Sequence, residues 1–89
     1  MTVYVVLAVE IPADNADAAE STLGVCRSLV GACRMAARNA EPRVNEDAGA
    51  DDVQDMEDPT EWHALKDAWC FQSGWIDAEY FIEAHELTD

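Results

Sequence analysis

Positive charge is scarce in this sequence. Four arginines and one lysine stand against nineteen acids, leaving a net charge of −14 over 89 residues. So few bases argue against the classes that hold nucleic acid or anionic membrane by charge, and make a cationic partner the first class to consider. Cysteine is scarce and odd in number: Cys26, Cys33 and Cys70 supply no disulfide framework. Were Cys26 and Cys33 on one helix, their spacing would hold them about 10 Å apart, beyond the ~7 Å reach of a disulfide, so reduced thiols are expected. No apolar run approaches the ~20 residues of a membrane span, and the apolar first ten residues lack a basic region before them or a small-residue cleavage site after. The chain reads as a cytoplasmic protein.

What is present is unevenly placed. Residues 1–40 carry four acids and three arginines, whereas residues 41–89 carry fifteen acids against Arg43 and Lys66. Nearly half of the residues, 49%, are apolar. High charge with that much hydrophobicity argues for a folded core over wholesale disorder, and the length suits a single domain, 1–89.

The fold class expected is α+β. Val3, Tyr4, Val5, Val6, Leu7, Ala8 and Val9 form a β-branched and aromatic run suited to a central strand at 3–10, buried on both faces and ended by Pro12. Ala19, Leu23, Cys26, Val30, Cys33 and Ala37 recur at alternating four- and three-residue steps. That period predicts a long helix over 16–38, capped by Asp14 or Asn15, with Asp17 and Glu20 in its first turn and Arg34 and Arg38 in its last. Gly24 and Gly31 within it would let another element approach closely. Residues 39–58 show no period and hold eight acids, predicting a mobile acidic loop. Asp58, Pro59 and Glu61 form a helix start signal for a shorter helix over 59–70, with Trp62, Leu65 and Trp69 inward and Gly74 closing the region in a left-handed turn. The segment 75–87 fits either period. The first strand needs a partner for its backbone groups, which selects a strand near 79–86, with a short strand at 75–77 allowed.

Chemical motifs are weak. His63 and Cys70, with Cys26 and Cys33, could supply soft ligands, but spacings of seven do not match zinc sites, and no metal or cofactor is expected. Asn45, Asp47, Asp51 and Asp52 miss the alternating positions of a calcium loop. His63 with Asp67 could orient an imidazole toward Ser73 or Cys70, yet no nucleophile elbow, phosphate loop or paired carboxylates support a reaction, and a non-enzymatic role is expected. Trp62, Trp69 and Trp75 sit among acids and read as core anchors, not as base-stacking platforms. Arg27, Arg34 and Arg38 fall on one helix stripe, where they are expected to bury their stems and pair with acids of the second half.

The YVVLAVE strand, the helix after Pro12, the acidic centre and the EYFIEAHEL ending resemble the small acidic accessory proteins of phages and mobile elements. Members of that group include anti-CRISPR and anti-restriction inhibitors that occupy a nucleic-acid channel. The resemblance rests on size, charge and layout across the chain and assigns no role to any residue. It implies an inhibitor or adaptor that binds the basic, nucleic-acid-binding groove of a larger protein, without binding nucleic acid or membrane itself. The expected contact surface comprises Glu46, Asp47, Asp51, Asp52, Asp55, Glu57, Asp58 and Glu61, with Trp62 or Trp75 as an apolar anchor. The competing expectation is a structural or oligomerising module, in which an open sheet edge or the apolar helix pairs with another copy and acidity serves only solubility.

Overall fold

In a computed structural model, which describes residues 1–10, 19–44 and 47–88 and omits the side chains of 47 and 48, the chain forms one antiparallel sheet with two helices on one face. Pro12 and the expected caps Asp14 and Asn15, with Asp17, lie outside the described residues, as do Asn45 and Glu46.

The first strand, β1, spans Thr2–Glu10, and the last, which becomes β5, spans Ala78–Glu86. They pair antiparallel along their whole lengths, from Thr2 opposite Glu86 to Glu10 opposite Ala78. The expected α+β class and this pairing are therefore present. The inward row of the ladder is Val6 and Ala8 with Ala78, Tyr80 and Ile82, all buried. The opposite row, Val5, Leu7 and Val9 with Phe81, is half-buried, so β1 is not covered on both faces as its composition suggested.

The expected helix over 16–38 is two elements. Residues Ala19–Cys26 form strand β2, which pairs with β1, and after a bend at Arg27 and Ser28 the helix α1 runs Leu29–Ala40. Two causes outweigh the helical period. A central strand has backbone groups to satisfy on both edges, and Ser21, Thr22 and Val25 are poor helix formers. The start signal of α1 is Ser28, whose hydroxyl accepts from the Gly31 amide at 3.0 Å. Ala32, Cys33, Ala36, Ala37 and Ala40 form its buried face. Such small side chains let the helix axis lie close to the sheet.

The expected acidic loop, 39–58, is largely helical. A 3-10 turn at Glu41–Arg43 leads to helix α2, Asp47–Met56, whose Val53 and Met56 point to the core beside α1. Aspartates on the other side are solvated and do not oppose the helix strongly enough to unfold it. The expected helix over 59–70 is also corrected. Asp58 does cap and Pro59 does follow it, but the result is one 3-10 turn, Pro59–Glu61, before strands β3 (His63–Leu65) and β4 (Ala68–Phe71). The spacing of Trp62, Leu65 and Trp69 was compatible with a helix but serves a hairpin. Ala64 stands opposite Trp69, while Lys66 and Asp67 make the turn, Asp67 at φ 59°. Aspartate tolerates that left-handed conformation better than most residues. Gly74 has no positive φ, and residues 75–77 form turn and bend, not a strand.

The strand order is β2-β1-β5-β4-β3. Trp69 packs its ring against Tyr4 at 5.9 Å and Trp62 against Phe71 at 5.5 Å, both on the helical side. Two glycines mark close approaches. A Cβ at Gly24 would meet the flexible end of Met35 at 2.9 Å, whereas one at Gly49 would overlap Val44 and lie 3.1 Å from Trp75 Cβ.

Helix propensity alone would have Gly49→Ala stabilise α2 by about 1 kcal/mol. The overlap reverses the sign: urea unfolding should show Gly49→Ala less stable than the wild type by about 1–3 kcal/mol, and less stable than Gly24→Ala, where Met35 can move.

Candidate partner-binding surface

α2 presents its residues in three rows, because four-residue steps keep to one side of a helix. Val53 and Met56 face the core, and Ala50, Gln54 and Glu57 face α1 across a shallow groove of about 250 Å³ shared with Ala37, Arg38 and Glu41. Asp47, Asp51 and Asp55 follow one another at four-residue steps on the remaining side, and Asp58 continues the row in sequence. Asp51, Asp55, Glu57, Asp58 and Glu61 are exposed. Five of the expected site residues are thus brought together on α2 and the turn that follows it. Glu46 lies outside the described residues, and Asp47 is placed only through its backbone.

Asp52 is different. It is half-buried and accepts a hydrogen bond from Ser73 Oγ, which in turn accepts from the Trp75 amide at 3.1 Å. This chain fastens α2 to the β4–β5 connection, so Asp52 and Ser73 serve structure and neither stands free as ligand or nucleophile. Trp62 also leaves the expected contact set. It is 4% exposed, and its indole N–H donates to the Met56 carbonyl at 2.8 Å, which anchors the end of α2. Trp75 is the exposed aromatic, at 50%, and it stands against Gly49 at the start of the acidic helix. Its dual reading in the sequence resolves toward the surface.

The arginine stripe is corrected as well. Arg27 lies in the bend before α1, and among the described residues Arg27, Arg34 and Arg38 make no ion pair. The base that does is Arg43, whose guanidinium meets Glu10 at 2.6 Å and donates to Asn39 Oδ1 at 3.4 Å. The buried Tyr80 hydroxyl donates to that same oxygen at 2.7 Å. Arg43 thus ties β1, α1 and β5 together, a role that no periodicity in the sequence announced.

Asp58 accepts from both the amide and the hydroxyl of Thr60, at 3.0 and 2.8 Å. Those two bonds hold its carboxyl below the ordinary value of 3.8. A depressed carboxyl stabilises the fold above its unfolded pKa and loses that contribution as pH falls through the folded one. The stability difference between wild type and Asp58→Ala, measured in urea, should therefore be flat at neutral pH and shrink only below about pH 4.

The thiols are free and lie on three elements. Cys26, on β2, has its sulfur 4.0 Å from that of Met35, and Cys33 sits in the core under α1. His63 and Cys70 are direct cross-strand neighbours in β3–β4, beside a groove of about 290 Å³ lined also by Glu61, Phe71 and Gln72. They belong to the face of the sheet away from the helices, so the four soft ligands do not converge. The His63–Asp67 helix pair is absent too, since Asp67 lies in the hairpin turn. Burial, reinforced by Glu79, pushes the Cys70 thiol up, which keeps it protonated and weakly nucleophilic. Burial pushes Cys33 further, to about 11, with the Asp58 carboxylate adding to it. Alkylation of the native protein at mildly alkaline pH should spare Cys33 until denaturant is added, while Cys26 and Cys70 react first; mass spectrometry of digests reads the order.

Compared with known proteins, the chain matches no family model, no curated protein and no solved structure.

Proposed function

We propose that this chain is a non-enzymatic inhibitor or adaptor whose acidic surface occupies the basic, nucleic-acid-binding groove of a larger protein, in the manner of an anti-CRISPR or anti-restriction mimic. The observation that carries this reading is the gathering of acids on the outward side of α2 and the turn behind it. Averaged over the 5783 Å² of surface, fourteen net charges amount to one per roughly 410 Å². A duplex carries very roughly one per 100 Å², taking one charge per ~1.7 Å of axis and a radius near 10 Å. Mimicry therefore depends on local density. α2 is 10 residues long, and with Asp52 engaged by Ser73 its remaining row holds three aspartates. At 1.5 Å per residue that is about one charge per 5 Å of axis, within a factor of two of the ~3.4 Å per charge along a single DNA strand.

Two further features support the reading. Among the described residues the arginines of the α1 side do not quench the acids by direct pairing, so the negative field is left for a partner. Trp75 adds an exposed aromatic beside the acids, the kind of group that supplies desolvated binding energy where charge supplies rate and orientation.

The test is displacement. Added to the partner it captures, the chain should release that partner's bound duplex or single strand at low salt and lose this effect as salt rises. Asp51→Lys, Asp55→Lys and Glu57→Lys together leave Asp52 and the Asp58 cap untouched. This triple variant should remain folded by circular dichroism and lose displacement by at least about a hundredfold, since close interfacial charge pairs each carry about 1.5 kcal/mol or more. Displacement at wild-type strength by the folded triple variant would remove the proposal.

A further inference from the structure

The sheet ends on one side in an edge whose outer side is open among the described residues. β2, Ala19–Cys26, pairs with β1 on its inner side, and no described strand adjoins its outer side. Its first four residues are exposed. The segment AESTLGVC contains no proline, no lysine and no inward charge; of the devices that blunt an edge it has one outward charge, Glu20, and a bulge at Leu23. The other edge, β3, is only three residues long.

We propose that β2 is a self-pairing edge, and that a second copy of this chain joins it antiparallel across a twofold axis to continue the sheet. The register follows from β2's irregularity. Its pairing with β1 shifts between Val6–Gly24 and Leu7–Thr22, leaving Leu23 as the extra residue. Glu20, Thr22 and Val25, opposite Val9, Leu7 and Val5, therefore share the face away from the helices. Ser21, Leu23, Gly24 and Cys26 share the helical side, with Leu23 and Cys26 packed against the core. Cross-strand partners must lie on the same face of a sheet. Sliding β2 along an antiparallel copy of itself, the register that meets that condition over the greatest length sets Leu23 opposite Gly24, Thr22 opposite Val25 and Ser21 opposite Cys26, and brings Glu20 opposite Arg27, the residue after the strand.

That register also has complementary charge. Glu20 is the one charged residue within β2, and Arg27 is the residue directly after it. Both are exposed, and neither makes an ion pair among the described residues. A twofold brings each against the other's counterpart, giving two opposite-charge pairs, while shifts of one residue set Glu20 against Cys26 or Ser28. Val25, 59% exposed in the single chain, gains Thr22 of the second copy as its neighbour.

Sedimentation velocity from micromolar to submillimolar concentration tests this on the full chain. A reversible dimer is expected. Glu20→Arg alone and Arg27→Glu alone each create two like-charge pairs and should weaken it at least about tenfold, while the double variant E20R/R27E should restore it. Circular dichroism confirms that each variant remains folded. A chain that stays monomeric throughout overturns the proposal, whether or not a strand of another protein can use the edge. So does a dimer indifferent to both single reversals, or one that the double variant fails to rescue.

Discussion

The ladder between β1 and β5 is the constraint on which the other elements depend. The two strands are 84 residues apart at one end of their pairing, Thr2 opposite Glu86, where the amino terminus also meets Glu86 at 2.9 Å, so closing the ladder joins segments from opposite ends of the sequence. Loop-closure entropy opposes such a contact, and the opposition must be offset by burial. The compensating groups are on the inward row. Tyr80, Ile82 and Val6 have no exposed surface, and a fully buried side chain of that size contributes about 1.5–3 kcal/mol. Every later contact uses that row as its floor: the alanine face of α1, Met56 at the end of α2, and the rings of Trp62 and Trp69.

Polar bonding secures what burial alone would leave loose. Beyond the ladder, α1 is held by the Tyr80–Asn39–Arg43–Glu10 network and α2 by Asp52 through Ser73 and by the indole of Trp62. Each of these bonds joins a helix to the sheet or to a segment next to one of its strands. The position of α2 is therefore fixed at both its middle and its end, which keeps the aspartates on its outward row in a set arrangement despite their repulsion. No basic residue lies in its last turn to complement the helix dipole. Tertiary contacts carry that helix.

This also explains which parts of the fold were legible in the sequence. β1 and β5 were readable because β-branched composition and the need for a partner point the same way. Asp58 and Pro59 were readable as a start signal, because capping is local chemistry. The helical period through Ala19, Leu23 and Cys26 misled, because a bulge at Leu23 puts adjacent residues on one face and so lets a strand imitate a four-and-three repeat. Ser28 marked the true start of α1, but a serine without an acidic residue three positions on is a weak signal. α2 was hidden by its charge: eight acids in twenty residues suggest solvation, whereas two apolar residues, Val53 and Met56, were enough once the sheet gave them a surface to cover. Of the candidate site, the acids were legible as a group. The division between exposed Asp51, Asp55, Glu57, Asp58 and Glu61 and the structural Asp52 and Trp62 was not, because it depends on Ser73 and Met56, partners that sequence spacing does not reveal.

The two proposed surfaces occupy different sides of the sheet, and their separation has a functional consequence. β2 is the first strand in the spatial order, whereas α2 is fastened to the connection between β4 and β5, on the other side of the central pair. Pairing through β2 therefore leaves the acidic row of each copy uncovered. A partner that presents two basic grooves, or one long groove, would meet two such rows, and the second contact would form at the raised effective concentration set by the first. Charge acts in the same direction. Each copy's self-repulsion weakens its folded state, and a cationic groove of the proposed kind would relieve it on binding, so by linkage such a partner would also stabilise the helix that displays the acids.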